Sequence, residues 1–344
     1  MLQPRTLKPG DKVAILSPAW AAPAYFPAVH EQAMGRVRDV LGLEPVEFPT
    51  TSMMGASAEA RAADVNAAFA DPEIRAIFST VGGDDQIMVT RHLDAELVRA
   101  DPKAFFGYSD NTNILNWLWR NGAGGYYGGS TMVHLGQAQV DELHLETLRA
   151  ALFGGGDVTL SMPTLSEDYG HDWSDPQALT EPAPRYPAAP LEFVGPATTV
   201  RGRTWGGCLE VIDQLALAGR LPAAEELEGS ILLFETSEVI PPPDYVGRWV
   251  RAMGERGYLD AAVGVAFAQP VVSDRDHPVP PEYLEARRQA YYEYLLVNIA
   301  RFNTELVVAL NAPFGHTRPQ AVLPYGGEIT LDAEAGTVTA HYPR

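Results

Sequence analysis

Short β-rich runs alternate with helical patterns through the first half of this chain, and that alternation limits it to few folds. Val13 to Leu16 reads as a strand. Ala28 to Leu41 then sets Val29, Ala33, Met34, Val37, Val40 and Leu41 on one helical face. Ile74 to Ser79 is a second apolar strand before a glycine-rich turn, and Ala104 to Tyr108 a third. Asn113 to Arg120 and Glu142 to Leu152 read as helices, the second ended by Gly154-Gly155-Gly156. Apolar strands separated by helices predict a mostly parallel sheet covered on both faces.

Beyond Gly156 the pattern breaks. Residues 157 to 196 carry Pro163, Pro176, Pro182, Pro184, Pro187, Pro190 and Pro196 with no sustained period, as expected of a linker or active-site flap. Strand candidates resume at Ser230 to Phe234, Val263 to Ala268 and Leu306 to Leu310, followed by a β-rich tail at Glu328 to Leu331 and Thr337 to His341. The clearest helix, Pro281 to Arg301, opens on proline and lines up Leu284, Tyr291, Leu295 and Ile299. The expected division is an N-terminal domain over 1–156, the proline-rich stretch over 157–196 and a C-terminal domain over 197–344.

Charge narrows the partners. A net charge of −19 repels phosphate backbones and anionic membrane surfaces, which leaves a small-molecule or peptide substrate. The single cysteine, Cys208, allows no intrachain disulfide and no cysteine-based zinc site. The opening residues lack the apolar core of a signal peptide, and no run of about 18 apolar residues is present. A cytoplasmic enzyme is the expectation.

The chemistry centres on Phe106-Gly107-Tyr108-Ser109-Asp110-Asn111, where a strand runs through glycine into a serine and then a helix start. A serine on such a turn exposes its hydroxyl as a nucleophile, although Asn111 stands where a lipase or esterase elbow needs a second glycine. A serine nucleophile needs a base, and the base needs an orienting group. His30, His92, His134 and His144 sit in helical patterns that suit packed or solvated histidines, while His171, His277 and His341 lie in loops or the tail. His316 differs, because Ala312-Pro313-Phe314-Gly315-His316 follows a strand at its carboxyl end, where α/β sheets place their sites. Glu235 ends another apolar strand, and such a carboxylate is either a surface or capping charge or a functional one. The turn Val81-Gly82-Gly83-Asp84-Asp85 offers backbone amides to an oxyanion. Asp84, Asp85 and Asp110 suit either a substrate amino group or the capping of helix starts, and for Asp84 and Asp110 capping is the expectation. Gly122-Ala123-Gly124-Gly125 lacks the spacing of a dinucleotide fingerprint.

Five segments in this order, Val81-Gly82-Gly83-Asp84-Asp85, Phe106-Gly107-Tyr108-Ser109-Asp110, Trp205-Gly206-Gly207-Cys208-Leu209, Leu233-Phe234-Glu235 and Phe314-Gly315-His316, resemble the LD-carboxypeptidase family of serine peptidases. The opening Leu7 to Ala14 and the late Val322 to Gly326 are similar to the family's start and end. The resemblance implies a triad of Ser109 as nucleophile, Glu235 and His316, with the amides of Gly83 and Asp110 as oxyanion donors. It also implies an N-terminal flavodoxin-like domain, a C-terminal swivelling β/α domain, a homodimer, and neither a metal nor another cofactor. The Gly-Gly-Asp-Asp turn resembles the microcin C immunity branch, which cleaves aminoacyl-nucleotide conjugates, more than the branch that trims D-alanine from muropeptides. In the former branch loop aromatics stack on the base, a role open to Trp173 and Tyr169, whose alternative is to pack the proline-rich stretch. An inactive binding protein of the same fold is the remaining alternative. Cys208 departs from the asparagine usual after Trp-Gly-Gly.

Overall fold

The computed structural model describes residues 1–2 and 4–344. Five strands run in parallel through the first half: β1 (Lys12–Leu16), β2 (Glu44–Glu47), β3 (Ile74–Ser79), β4 (Ala104–Gly107) and β5 (Gly125–Tyr127). Their order, β5-β4-β3-β1-β2, is flavodoxin-like. The central strands β1, β3 and β4 are buried almost throughout because helices cover both faces, whereas the edge strand β2, Glu44-Pro45-Val46-Glu47, is exposed at both ends. Phe78, Phe106 and Tyr126 fall in register on β3, β4 and β5 and stack at 4.6 and 4.8 Å between centroids.

The second half adds β6 (Asp157–Thr159), a small hairpin of β7 (Leu165–Ser166) and β8 (Tyr186–Pro187), β9 (Glu192–Val194), β10 (Thr199–Cys208), β11 (Ile231–Glu235), β12 (Gly264–Ala268) and β13 (Val307–Ala312). Next come β14 (Leu323–Tyr325), β15 (Glu328–Asp332) and β16 (Thr337–His341). Strands β10 to β13 form a parallel core, flanked by antiparallel β15, β16 and β6 on one side and by β9 on the other. Two segments cross the expected division. Strand β14 returns to the first sheet beside β5, and the 157–196 stretch lends β6 and β9 to the second. These strands are too short for a period-2 pattern to show in sequence.

The expected helices form with shifted ends, as Thr112–Arg120, Glu142–Phe153 and Pro281–Ile299. Trp205-Gly206-Gly207 lies inside β10. At Gly207 (φ +117°) an added Cβ would stand 2.7 Å from Thr112 Oγ1 and 2.8 Å from the Tyr127 ring, so the glycine lets the two sheets approach.

Candidate active site

Three loops at carboxyl ends of the first sheet's strands meet around Ser109. Ser109 follows β4, holds φ +63° and opens a short 3-10 turn that runs into helix Thr112–Arg120. A left-handed serine is strained and is the signature of a hydroxyl pushed out on a tight elbow. The turn after β3 lies against it. A Cβ on Gly82 would sit 2.9 Å from Ser109 Oγ, so only glycine permits this approach. The loop after β1 brings Trp20, whose N–H donates to the Gly82 carbonyl at 3.2 Å. Among the described residues, the amides of Gly83 and Asp110 donate to no hydrogen bond, and both flank the serine.

The second sheet supplies an imidazole and a carboxylate. Glu235 ends β11, and His316 follows β13 with its Nδ1 2.6 Å from Glu235 Oε2. Both side chains are out of water, 1% exposed for Glu235 and 7% for His316. Gly315 (φ +84°) leaves the space for this pair, since its Cβ would stand 2.9 Å from that of Glu235. The Tyr127 hydroxyl donates to Glu235 Oε1 at 2.5 Å and accepts from the Ser109 N–H at 3.4 Å, tying the serine turn to the carboxylate. Nothing in the sequence singled out Tyr127. The edge of the Tyr108 ring rests against His316 at 4.9 Å.

Sequence reasoning also passed over Glu238. Its Oε2 lies 3.0 Å from His316 Nε2, so the ring is bracketed by two carboxylates. Burial alone would lower the His316 pKa, but Glu235 and Glu238 override it and raise it well above the usual histidine value. For Glu238 partial desolvation works the other way, yet the His316 charge and hydrogen bond bring its carboxyl down to about 2. Its side chain is 68% exposed, so solvent screens the pair and its strength is modest.

Ser109, His316 and Glu238 line one cavity of about 420 Å³, together with Gly82, Gly83 and Tyr108. The proline-rich stretch contributes its rim, including Tyr169 and Trp173. Trp173 lines the cavity and packs edge-on against Phe26 at 5.6 Å. Asp84 is exposed and is not among the lining residues. Asp85 is held by Arg61 at 2.6 Å. Asp110 is buried and caps a neighbouring turn, accepting from the Gln86 N–H at 3.0 Å and from Asn113 Nδ2 at 2.8 Å. Burial pushes its carboxyl up to about 6. Cys208 is buried behind the site, its thiol pushed well up by burial and by nearby Glu210 and Glu235. Such a thiol is a packing group and a poor nucleophile. Among the described residues no cluster of metal-ligating side chains occurs.

A flavodoxin-like sheet carrying an elbow serine, joined to a second sheet carrying an imidazole–carboxylate pair, defines a two-domain α/β protein with one shared cleft. Residues 13–128 match the LD-carboxypeptidase N-terminal domain and residues 201–331 the LD-carboxypeptidase C-terminal domain. The chain belongs to the LD-carboxypeptidase family of peptidases. It is 29% identical to a Vibrio cholerae protein named "Putative carboxypeptidase" over 98% of this chain and 97% of that one. Over 52% of its length it is 29% identical to the Escherichia coli microcin C7 self-immunity protein MccF, covering 51% of that protein. The solved structure of MccF in complex with glutamyl sulfamoyl guanosine has the same fold, with a TM-score of 0.83 at 21% identity and 99% of each chain covered.

Proposed function

We propose that this protein is a serine amidohydrolase that cleaves the amide of a small aminoacyl-nucleotide conjugate or peptide. Ser109 Oγ attacks the carbonyl carbon while His316 Nε2 takes its proton, and Glu235 on Nδ1 holds the ring and stabilises the imidazolium. The amides of Gly83 and Asp110 receive the oxyanion. His316 then protonates the leaving nitrogen, and water releases the acyl group from Ser109 by the same steps in reverse.

The observation that carries this reading is the buried 2.6 Å contact between His316 and Glu235, opening on the cavity that also holds Ser109. Family membership supports the peptidase class. The aminoacyl-nucleotide substrate is favoured by the solved MccF complex, whose ligand is an aminoacyl sulfamoyl nucleoside, and by Trp173 and Tyr169 on the cavity rim. The family name favours a second substrate, a muropeptide tetrapeptide losing its terminal D-alanine.

Incubation with alanyl sulfamoyl adenosine and, separately, with a muropeptide tetrapeptide distinguishes the two. Release of alanine from the first and no D-alanine from the second is the expected result. The reverse pattern assigns the protein to cell-wall peptide trimming.

A further inference from the structure

The cavity beside Ser109 is lined by three carboxylates and two guanidinium groups, and most of these charges are already committed. Asp168 is paired with Arg288 at 2.8 Å and accepts the N–H groups of Val272 and Ser273. Asp172 is paired with Arg275, and Arg318 lies 2.8 Å from Glu167. Glu238 alone among the lining carboxylates has no partner other than His316 among the described residues.

Its position is defined by the turn that carries it. Ser237 donates through its N–H and its hydroxyl to Glu210 at 2.8 and 2.6 Å, and Ile240 takes φ +52°, so the chain after β11 is bent sharply around Glu238. The contact it makes is chemically costly to catalysis. Nδ1 of His316 is occupied by Glu235, so Nε2 is the only ring nitrogen left to accept the serine proton, and Glu238 sits on it. The groups facing the ring are Glu235, Glu238, the edge of Tyr108, and Arg318 two residues along the chain. The second carboxylate on Nε2 favours the cation, which cannot act as a base, and its exposure to solvent leaves the contact weak enough for a competing cation to open.

We infer that Glu238 is the specificity residue for a substrate ammonium group, and that its contact with His316 in the free protein is a resting lock which that ammonium opens. A primary ammonium near the scissile amide offers Glu238 a replacement cation. Glu238 then leaves Nε2, the second carboxylate no longer holds the proton on the ring, and the base becomes available only when a correctly charged acyl group is present. The inference rests on the amidohydrolase reading of Ser109 and His316.

The test uses the full chain with Ser109→Ala, so that ligands bind without turnover, in parallel with and without Glu238→Gln. Calorimetric Kd values are measured for alanyl sulfamoyl adenosine and for its N-acetyl derivative, which lacks the charge. With Glu238 present the free amine is expected to bind at least tenfold more tightly than the acetylated compound, and with Glu238→Gln the preference is expected to shrink below threefold. In the ligand-free protein, imidazole ¹⁵N shifts are expected to show His316 losing its proton at lower pH in Glu238→Gln. An unchanged preference, or an unchanged His316 titration, overturns the role of Glu238. Hydrolysis of either compound is recorded with Ser109 intact: turnover together with an unchanged preference overturns the Glu238 assignment alone, whereas no turnover of either overturns the aminoacyl-nucleotide reading of the site and the inference with it.

Discussion

At the scale of single residues the site depends on Glu235, which is 1% exposed and accepts from both Tyr127 and His316. Glu235→Gln keeps the shape but replaces an acceptor oxygen with an amide donor, so the imidazole loses the charge that stabilises its protonated form. Losing general-base assistance typically costs on the order of 10²–10⁴ in kcat, the upper end being seen for this kind of change in a serine triad. We expect kcat to fall within that range and KM to change less than about threefold, measured by steady-state hydrolysis; a loss below tenfold in kcat contradicts the proposed role. Ser109 and His316 were legible in the sequence because each follows an apolar strand through a glycine, and Glu235 was legible as a strand-end carboxylate whose role only the family resemblance implied. Tyr127 and Glu238 were not. Their partners lie 108 and 78 residues away in the chain, counting Glu235 for the first and His316 for the second (316 − 238 = 78), and local pattern carries no signal for such a contact.

At the scale of elements, β10 does two jobs. Its first half pairs antiparallel with β15 and its second half parallel with β11, and Gly207 in that second half lies against Tyr127 of the first sheet and Thr112 at the start of the helix after β4. Gly207→Ala combines backbone strain at φ +117° with overpacking at 2.7 Å. Each effect is typically worth about 1–3 kcal/mol. We expect a stability loss of about 2–5 kcal/mol, read from the urea midpoint, with a parallel loss of activity. A change under about 0.5 kcal/mol contradicts the packing described. Sequence periodicity placed the apolar parallel strands β1, β3, β4, β11, β12 and β13 and the helices Glu142–Phe153 and Pro281–Ile299, but not β10, the longest strand. The two adjacent glycines of Trp205-Gly206-Gly207 hide that strand, because such a pair signals a loop unless a close neighbour explains it.

At the scale of the whole molecule, the two sheets are tied together by β14 and by a buried cluster behind the nucleophile turn. His134 and His144 stack there at 4.0 Å, and their Nε2 atoms have no hydrogen-bond partner among the described residues. The Nδ1–H of His144 donates to the Gln320 carbonyl at 3.0 Å, joining the helix Glu142–Phe153 to the segment after His316. Burial lowers both pKa values, to about 4 for His144 and well below normal for His134. The unfolded chain binds protons at these rings below about pH 6.5 while the folded chain stays neutral, so stability is full above pH 6.5 and falls as pH drops toward 4. For His144 alone this approaches about 3 kcal/mol. Asp110, pushed up to about 6, acts with the opposite sign over the same range. Comparison with His144→Asn removes that common contribution: the melting temperature of the variant is expected to depend less on pH between 6.5 and 4, and equal slopes contradict the assignment. Neither the stacking of these histidines nor the return of β14 was readable from the chain, since both arise only when distant segments dock.

The account as a whole requires that a serine on one sheet be acylated with help from a histidine and a glutamate on the other. The most direct measurement compares hydrolysis of alanyl sulfamoyl adenosine by the protein and by Ser109→Ala, with melting curves recorded for both. The predicted result is alanine release by the protein, none detectable by the variant, and melting temperatures that agree closely because Ser109 lies at the cavity wall, outside the core. Undiminished alanine release by a folded Ser109→Ala protein contradicts the account.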